Sequence, residues 1–238
     1  RSSPVQGTSV IMRRTCLMYM SMLAKYCQEL YYGLEDETGI ATGIKRNGSL
    51  SVALSEHRME ELLRTASMAK THGVEVNVIT TKDCEDLYPH LNTEDVIGGL
   101  HIPLDGQADP ANIAMALAKG ARLKGVKVFE NTKVEEIHVK DGRATGARTD
   151  KGVISAEIVV NCAGMWARQI GEMAGVNVPL QPVKHQYIIT DRIEGLAPGA
   201  ATLRDPDRLT YFKEEVGGLV MGGYEPDPIA WTTGDVPD

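Results

Sequence analysis

The stretch Glu157 to Val176, EIVVNCAGMWARQIGEMAGV, constrains the fold more than any other part of the chain. Its first five residues form an almost continuous apolar run, the pattern of a strand buried on both faces. The run enters Cys162, Ala163 and Gly164, and a helix is predicted to begin near Trp166. A buried strand feeding a helix through three small residues implies an α/β core. Such a turn suits an anionic phosphate, because orphan backbone amides and the helix dipole point outward there and Gly164 lets a ligand approach closely. On its own, however, the stretch reads more simply as a tight strand-to-helix turn with no ligand.

The rest of the chain alternates helices and strands. Residues Met18 to Leu34 place Leu23, Tyr26, Cys27, Leu30, Tyr31 and Leu34 on one helical face, with Gly39 as a stop. Gly48 to Leu54 alternates as a half-buried strand, and Ser55 can cap a helix running to Gly73. A short strand over Val74 to Ile79, a helix over Lys82 to Tyr88 and a strand over Ile97 to Ile102 follow. Asp109 as N-cap, Pro110 at the first position and Gly125 as stop delimit the best-signalled helix. Strands are then predicted over Val126 to Glu130, Val134 to Lys140 and Ala144 to Thr149, the last two joined by the turn Asp141-Gly142. Beyond Pro179, strands over His185 to Thr190, Leu209 to Lys213 and Leu219 to Tyr224 prevail.

Composition narrows the function. The net charge of -7 and the lack of a dense Lys/Arg run argue against a nucleic-acid protein, which needs a basic stripe to neutralise phosphates. No apolar run approaches the roughly 18 residues that span a bilayer, so no membrane span is expected. The cysteines Cys16, Cys27, Cys84 and Cys162 form no CxxC pair and read as reduced, partly buried thiols. The six histidines show no HxH or HExxH spacing, so no metal is expected. The chain starts at Arg1 and closes on Thr-Thr-Gly-Asp-Val-Pro-Asp, which reads as an internal piece of a longer protein.

The order of elements carries a resemblance. The Asp109-Pro110 helix, Asn131-Thr132-Lys133-Val134, the Asp141-Gly142 hairpin and the strand ending in Asn161-Cys162-Ala163-Gly164 together resemble the second half of the FAD-binding domain in the D-amino-acid-oxidase-like flavoproteins. LYYGLEDETGIATGIKRNGSLSVAL from Leu30, GQADP from Gly106, Asn161 to Ala167 and above all PVKHQYIIT from Pro182 are most similar to the dimethylglycine and sarcosine dehydrogenase branch. PVKHQYIIT is quite specific, whereas NCAG recurs across many flavoproteins. The resemblance extends over nearly the whole chain.

What the resemblance implies is a set of expectations. The residue matching Val134 would contact the adenine side of FAD through its backbone, and those matching Cys162, Ala163 and Gly164 would approach the dinucleotide with Trp166 nearby. The tyrosine matching Tyr187 lies near substrate and flavin in that branch, which marks Tyr187 as the candidate catalytic residue. Its phenol could bond the substrate amine or carboxylate, or help the amine reach its neutral form. His185, two residues away and on the same face of a regular strand, is either a substrate contact or a strand residue. Tyr211, Tyr224 and Arg204 fall in the part that would build the substrate pocket. Arg204 could pair with a carboxylate, although it reads more simply as a solvated arginine in a loop from Leu203 to Arg208.

The expected architecture is mixed α/β, an incomplete Rossmann-like FAD-binding lobe (1–47 and 106–180) interleaved with a mixed or antiparallel substrate lobe (48–105 and 181–238). The parent enzyme would oxidise an N-methyl amino acid such as sarcosine or dimethylglycine by hydride transfer to flavin. Folate and an electron-transfer flavoprotein are partners the resemblance implies for some members, and the compartment would be the cytoplasm in bacteria or the mitochondrial matrix in eukaryotes. Two alternatives stay open: another amino-acid or glycerol-phosphate oxidoreductase of the superfamily, and a catalytically inactive regulatory homologue. Two departures bear on cofactor binding. The chain contains no G-x-G-x-x-G for the pyrophosphate and no Trp-His-Ala-Ala-like segment for covalent flavin attachment. The isolated chain is expected to bind FAD weakly or not at all and to be inactive.

Overall fold

The computed structural model describes the backbone over residues 6–231 and the side chains from residue 21 onward. Cys16 and residues 232–238, the end of the expected substrate lobe, lie outside these described side chains. The described chain forms two compact units, one from residues 6–126 and 186–224 and one from 127–185 and 225–231. These units cut the chain at other points than the functional lobes expected from the sequence.

The first unit is built on a seven-stranded mixed sheet. Helix α1 (Gln6–Thr38) precedes strand β1 (Ser49–Ala53), followed by α2 (Glu56–Thr71), β2 (Asn77–Ile79), α3 (Thr81–Leu87), β3 (Gly98–Ile102) and α4 (Pro110–Leu123). Strands β7 (Tyr187–Ile189), β8 (Thr202–Asp205), β9 (Thr210–Glu215) and β10 (Gly218–Gly223) complete it in the order β2-β3-β1-β8-β9-β10-β7. Only β1 and β8 run parallel.

Alternation along β1 divides the core between the two faces of the sheet. Leu50 and Val52 are fully buried and join Leu203, Cys84, Tyr88 and Val96 on one face. Ala53 and Leu100 meet Leu62 and Ala66 of α2 and Val76 on the other. Several expected caps form: Ser55 Oγ accepts the Arg58 amide at 3.2 Å, and Asp109 Oδ1 accepts the Asn112 amide at 3.0 Å with Pro110 opening the helix. Helix α4 buries Ile113 and Ala116 against Leu34 of α1. The connections into β1 and into α4 are zipped together, Lys45 N to Gln107 O at 2.8 Å and Gln107 N to Lys45 O at 3.0 Å. A side chain at Gly106 would collide with the Lys45 carbonyl, which explains the glycine there.

The second unit holds an antiparallel three-stranded sheet of β4 (Val134–Lys140), β5 (Arg143–Thr149) and β6 (Gly152–Ser155), with helix α5 (Ala167–Met173) packed on β4. Asp141 and Gly142 both take positive φ, 51° and 74°, the two-residue turn whose twist matches a hairpin.

Four sequence expectations need correction. Val126 to Glu130 and Glu157 to Asn161 are not strands. Ile158 and Val160 are 79% and 75% exposed, and neither segment is laddered to another among the described residues. An apolar run reads as a strand, but a strand exists only where a neighbour pairs its amides and carbonyls. Conversely β8 lies where a loop was expected, because its partner β1 is about 150 residues earlier in the chain and leaves no local pattern. Strand β7 starts at Tyr187, not at His185.

Candidate functional site

Tyr187 opens the edge strand of the large sheet and is 59% exposed. Directly opposite it on β10 is Gly222, opposite Gly222 on β9 is Tyr211, and opposite Tyr211 on β8 is Arg204. The row continues through Ser51 of β1. Directly opposed residues share a face of a sheet, so Arg204, Tyr211 and Tyr187 project from one side. Gly222 has no side chain, and the ring of Tyr211 lies across it; a β-carbon there would overlap ring carbon Cζ. Tyr224, on the same face two residues beyond Gly222, meets Tyr211 with ring centroids 5.5 Å apart and planes tilted by 49°.

The neighbouring row, Leu203, Phe212, Met221 and Ile188, projects from the other face. Two clefts open on this half of the sheet. One of about 300 Å³ is lined by Arg204, Arg58, Ser51, Thr210 and Tyr224. The other, about 240 Å³ and nearly all apolar, follows β7 past Tyr187, Ile188, Phe212 and Met221. Arg58 in the first cleft is ion-paired with Glu61 and, at 3.2 Å, with Asp207. Asp205 is held by Arg208 at 2.9 Å.

The inner end of β9 is pinned by a buried carboxylate. Glu214 is 2% exposed, accepts the amides of Gly217 at 2.9 Å and Gly199 at 3.1 Å, and pairs with Lys45 Nζ at 3.1 Å. The Gly217 amide, then the Gly199 amide and the Lys45 charge, hold its pKa below the ordinary carboxylate range against the opposing effect of burial.

The residues expected at the cofactor lie in the second unit. Val134 begins β4, paired with Thr149. Cys162 and Gly164 are exposed, and Ala163 and Trp166 half-buried. Asn161 shapes this turn: its Oδ1 accepts the Ala163 amide at 3.2 Å and its Nδ2 donates to the Ala167 carbonyl at 2.9 Å. Gly164 has φ +55° and open space where a β-carbon would stand, so the backbone is accessible there. These small, accessible residues fit one flank of a bound dinucleotide. His185 also falls in this unit, with Nδ1 3.4 Å from Glu225 Oε2, and the structure does not place it on the strand of Tyr187.

Sequence reading missed the row itself. Arg204 lies on a strand rather than in a loop, and the glycine opposite both tyrosines makes room for the Tyr211 ring. The paired Gly222-Gly223 was the one visible signal, since glycine inside a strand marks a close approach.

The first unit's mixed sheet with its tyrosine-bearing edge and, in the second unit, a small-residue turn open to a ligand are features of a flavoprotein oxidoreductase fold. The family model for FAD dependent oxidoreductases, DAO, matches residues 8–238, and the chain belongs to that family. Mitochondrial sarcosine dehydrogenase of Mus musculus is 38% identical over 217 residues, which is 89% of this chain and 24% of the relative. Mitochondrial dimethylglycine dehydrogenase of Homo sapiens is 34% identical, covering 88% of this chain and 25% of the relative. The mitochondrial pyruvate dehydrogenase phosphatase regulatory subunit of Mus musculus is 36% identical, covering 87% and 24%. The chain thus spans about a quarter of the length of these curated relatives. Among solved structures, L-proline dehydrogenase from P.horikoshii superposes with a TM-score of 0.78 at 28% identity, over 90% of this chain and 57% of that one. Among the described residues no helix is long and apolar enough to cross a membrane.

Proposed function

We propose that the chain is part of a flavin-dependent enzyme that oxidises an N-methyl amino acid of the sarcosine or dimethylglycine kind. The observation that carries this reading is Tyr187, exposed at the sheet edge in the same cross-strand row as Tyr211 and Arg204. The names of the sarcosine and dimethylglycine dehydrogenase relatives supply the substrate class.

Residues 48–105 and 181–238 would form the substrate lobe, and 1–47 with 106–180 part of the cofactor lobe. Val134, Cys162, Ala163, Gly164 and Trp166 would flank FAD, with Asn161 holding their turn in shape. FAD when bound accepts a hydride from the substrate carbon next to nitrogen. Protein groups make that transfer possible by position and protonation. An ammonium nitrogen has no free lone pair, so the amine must lose a proton before hydride leaves the adjacent carbon. The Tyr187 phenol supplies a hydrogen-bond partner for the neutral amine. His185, whose Nδ1 lies 3.4 Å from Glu225 Oε2, is the second candidate catalytic residue. The iminium product would be hydrolysed or passed to folate, electrons would leave through an electron-transfer flavoprotein, and the compartment would be the mitochondrial matrix in a eukaryote or the cytoplasm in a bacterium.

The full-length protein tests this by its visible spectrum. Flavin bands at about 370 and 450 nm, set by the cofactor's own chemistry, should bleach on adding sarcosine or dimethylglycine. Bands that bleach only with another amine or with glycerol phosphate point to a different oxidoreductase of the family. A colourless protein that ignores added FAD points to a regulatory role like that of the phosphatase subunit.

A further inference from the structure

We propose that Asn47-Gly48 is a deamidation site that the fold holds shut, so that chemical ageing of this chain begins with local opening of the zipped connection into β1. It is the only Asn-Gly dipeptide in the sequence. In the reaction the Gly48 amide nitrogen bonds to Asn47 Cγ. The Cγ–Nδ2 bond then breaks to release ammonia, the amide proton passing through solvent to the leaving nitrogen. Water opens the resulting succinimide to aspartate or isoaspartate at position 47. Glycine favours the attack, because without a β-carbon its nitrogen is unhindered and its backbone turns freely. The fold nevertheless requires glycine there: Gly48 has φ +75°, and a β-carbon would stand 2.8 Å from His101 Nε2.

Three features of the native chain oppose the reaction, each at a different step. The nucleophile is occupied, since the Gly48 amide donates to the Asp105 carbonyl at 3.0 Å. The leaving group is pinned, since Asn47 Nδ2 donates to the Ala200 carbonyl at 2.6 Å. Attack would also put negative charge on Asn47 Oδ1, a buried atom with no hydrogen-bond partner among the described residues, so the oxyanion is not stabilised. All three belong to one joint. Ser49 Oγ holds Asp105 Oδ2 at 2.7 Å, and the Thr202 amide donates to the Gly48 carbonyl at 3.1 Å where β8 begins beside β1.

The product does not fit the closed joint. A carboxylate at position 47 has no proton to offer the Ala200 carbonyl. It also adds negative charge beside Gly199, whose amide already serves the buried Glu214 at 3.1 Å. Isoaspartate lengthens the backbone and moves the Gly48 carbonyl away from Thr202. Deamidation therefore loosens β1 from β8, the parallel pair of the large sheet.

The test follows Asn47 by peptide mass mapping of the full-length protein in mildly alkaline buffer, folded in one arm and in denaturant in the other. In denaturant the Asn47 peptide should gain the amide-to-acid mass difference, while peptides carrying Asn77 and Asn177, each followed by valine, lag behind. In the folded protein conversion should be at least about 10-fold slower, the factor that a local opening of roughly 1.4 kcal/mol gives. Ser49→Ala removes the bond to Asp105, leaves Asn47 and Gly48 in place, and should speed conversion of the folded protein about 5-fold, the worth of one hydrogen bond. Asn47→Asp makes one product directly and should lower the melting temperature and speed hydrogen exchange at the Thr202 amide. Equal rates in the two arms would overturn the protection, and an Asn47 that stays unmodified in denaturant would overturn the site itself. A folded Ser49→Ala variant no faster than wild type would overturn the gate at Asp105; if that variant does not fold, the two wild-type arms decide. None of these measurements uses flavin or substrate, so the outcome is independent of the amine-oxidising reading.

Discussion

The ring of Tyr211 lies across Gly222, in the space a β-carbon would occupy. Gly222 does not need its glycine for backbone freedom, since its φ is not positive; it needs it for the ring. Gly222→Ala should therefore leave the sheet intact and turn Tyr211 away from the row, loosening its contact with Tyr224. The expected stability loss is about 1 kcal/mol, the scale of one aromatic pair. A thermal melt, the near-ultraviolet circular dichroism and KM in the full-length protein check this. An unchanged dichroism signal with unchanged KM would show that the ring position has no role.

Tyr187 is more than half exposed, so its substitution should read out in activity and not in folding. Tyr187→Phe is expected to change stability by less than about 0.5 kcal/mol. It should lower kcat/KM of the full-length enzyme for an N-methyl amino acid by about 10- to 100-fold, the effect of losing a hydrogen bond to a charged or reacting group. Steady-state kinetics with a parallel melting curve separate the two effects.

Glu214 predicts an acid limb in the stability profile. Its pKa is depressed in the folded state by the Gly217 and Gly199 amides and by Lys45. The stability it contributes is present above the ordinary carboxylate pKa, about 4.3 in an unfolded chain, and is lost as pH falls through the lower folded value. Glu214→Gln should destabilise the protein at pH 7 by about 1–3 kcal/mol and flatten the acid limb. Denaturant unfolding at pH 7 and at pH 4 measures both, and a variant with the wild-type acid limb would place the titrating group elsewhere.

The cysteines should separate by reactivity. Burial, with a smaller effect from the Asp83 charge, pushes the Cys84 thiol up to about 11, and Cys84 has no exposed surface. Cys162 is exposed. Thiol labelling at pH 8, located by peptide mass spectrometry, should modify Cys162 in the native protein and Cys84 only on unfolding. The thiol contribution of Cys84 has the opposite sign from Glu214: its raised pKa costs stability as pH rises above the ordinary thiol range.

Local chemistry was legible in the residues. Ser55, Asp109-Pro110 and Asp141-Gly142 act within three or four positions of themselves, and each built the cap or turn that its type dictates. The mixed α/β class followed from the same alternation of patterns. Tyr187 could be named because PVKHQYIIT is specific, but nothing in those nine letters places it opposite Gly222 or in a row with Arg204.

Pairing belonged to the tertiary structure alone. Strand β8 exists because β1 and β9 flank it, while the more apolar run from Glu157 to Asn161 has no strand beside it among the described residues. Side-chain period along a strand is local, whereas which strands are neighbours, and in what register, depends on hydrogen bonds between segments as distant in sequence as Gly48 and Thr202. The sequence by itself determined the caps, the turns and the types of most elements. Only the folded sheet decided that Arg204, Tyr211 and Tyr187 share one face, because register converts separate residues into a row.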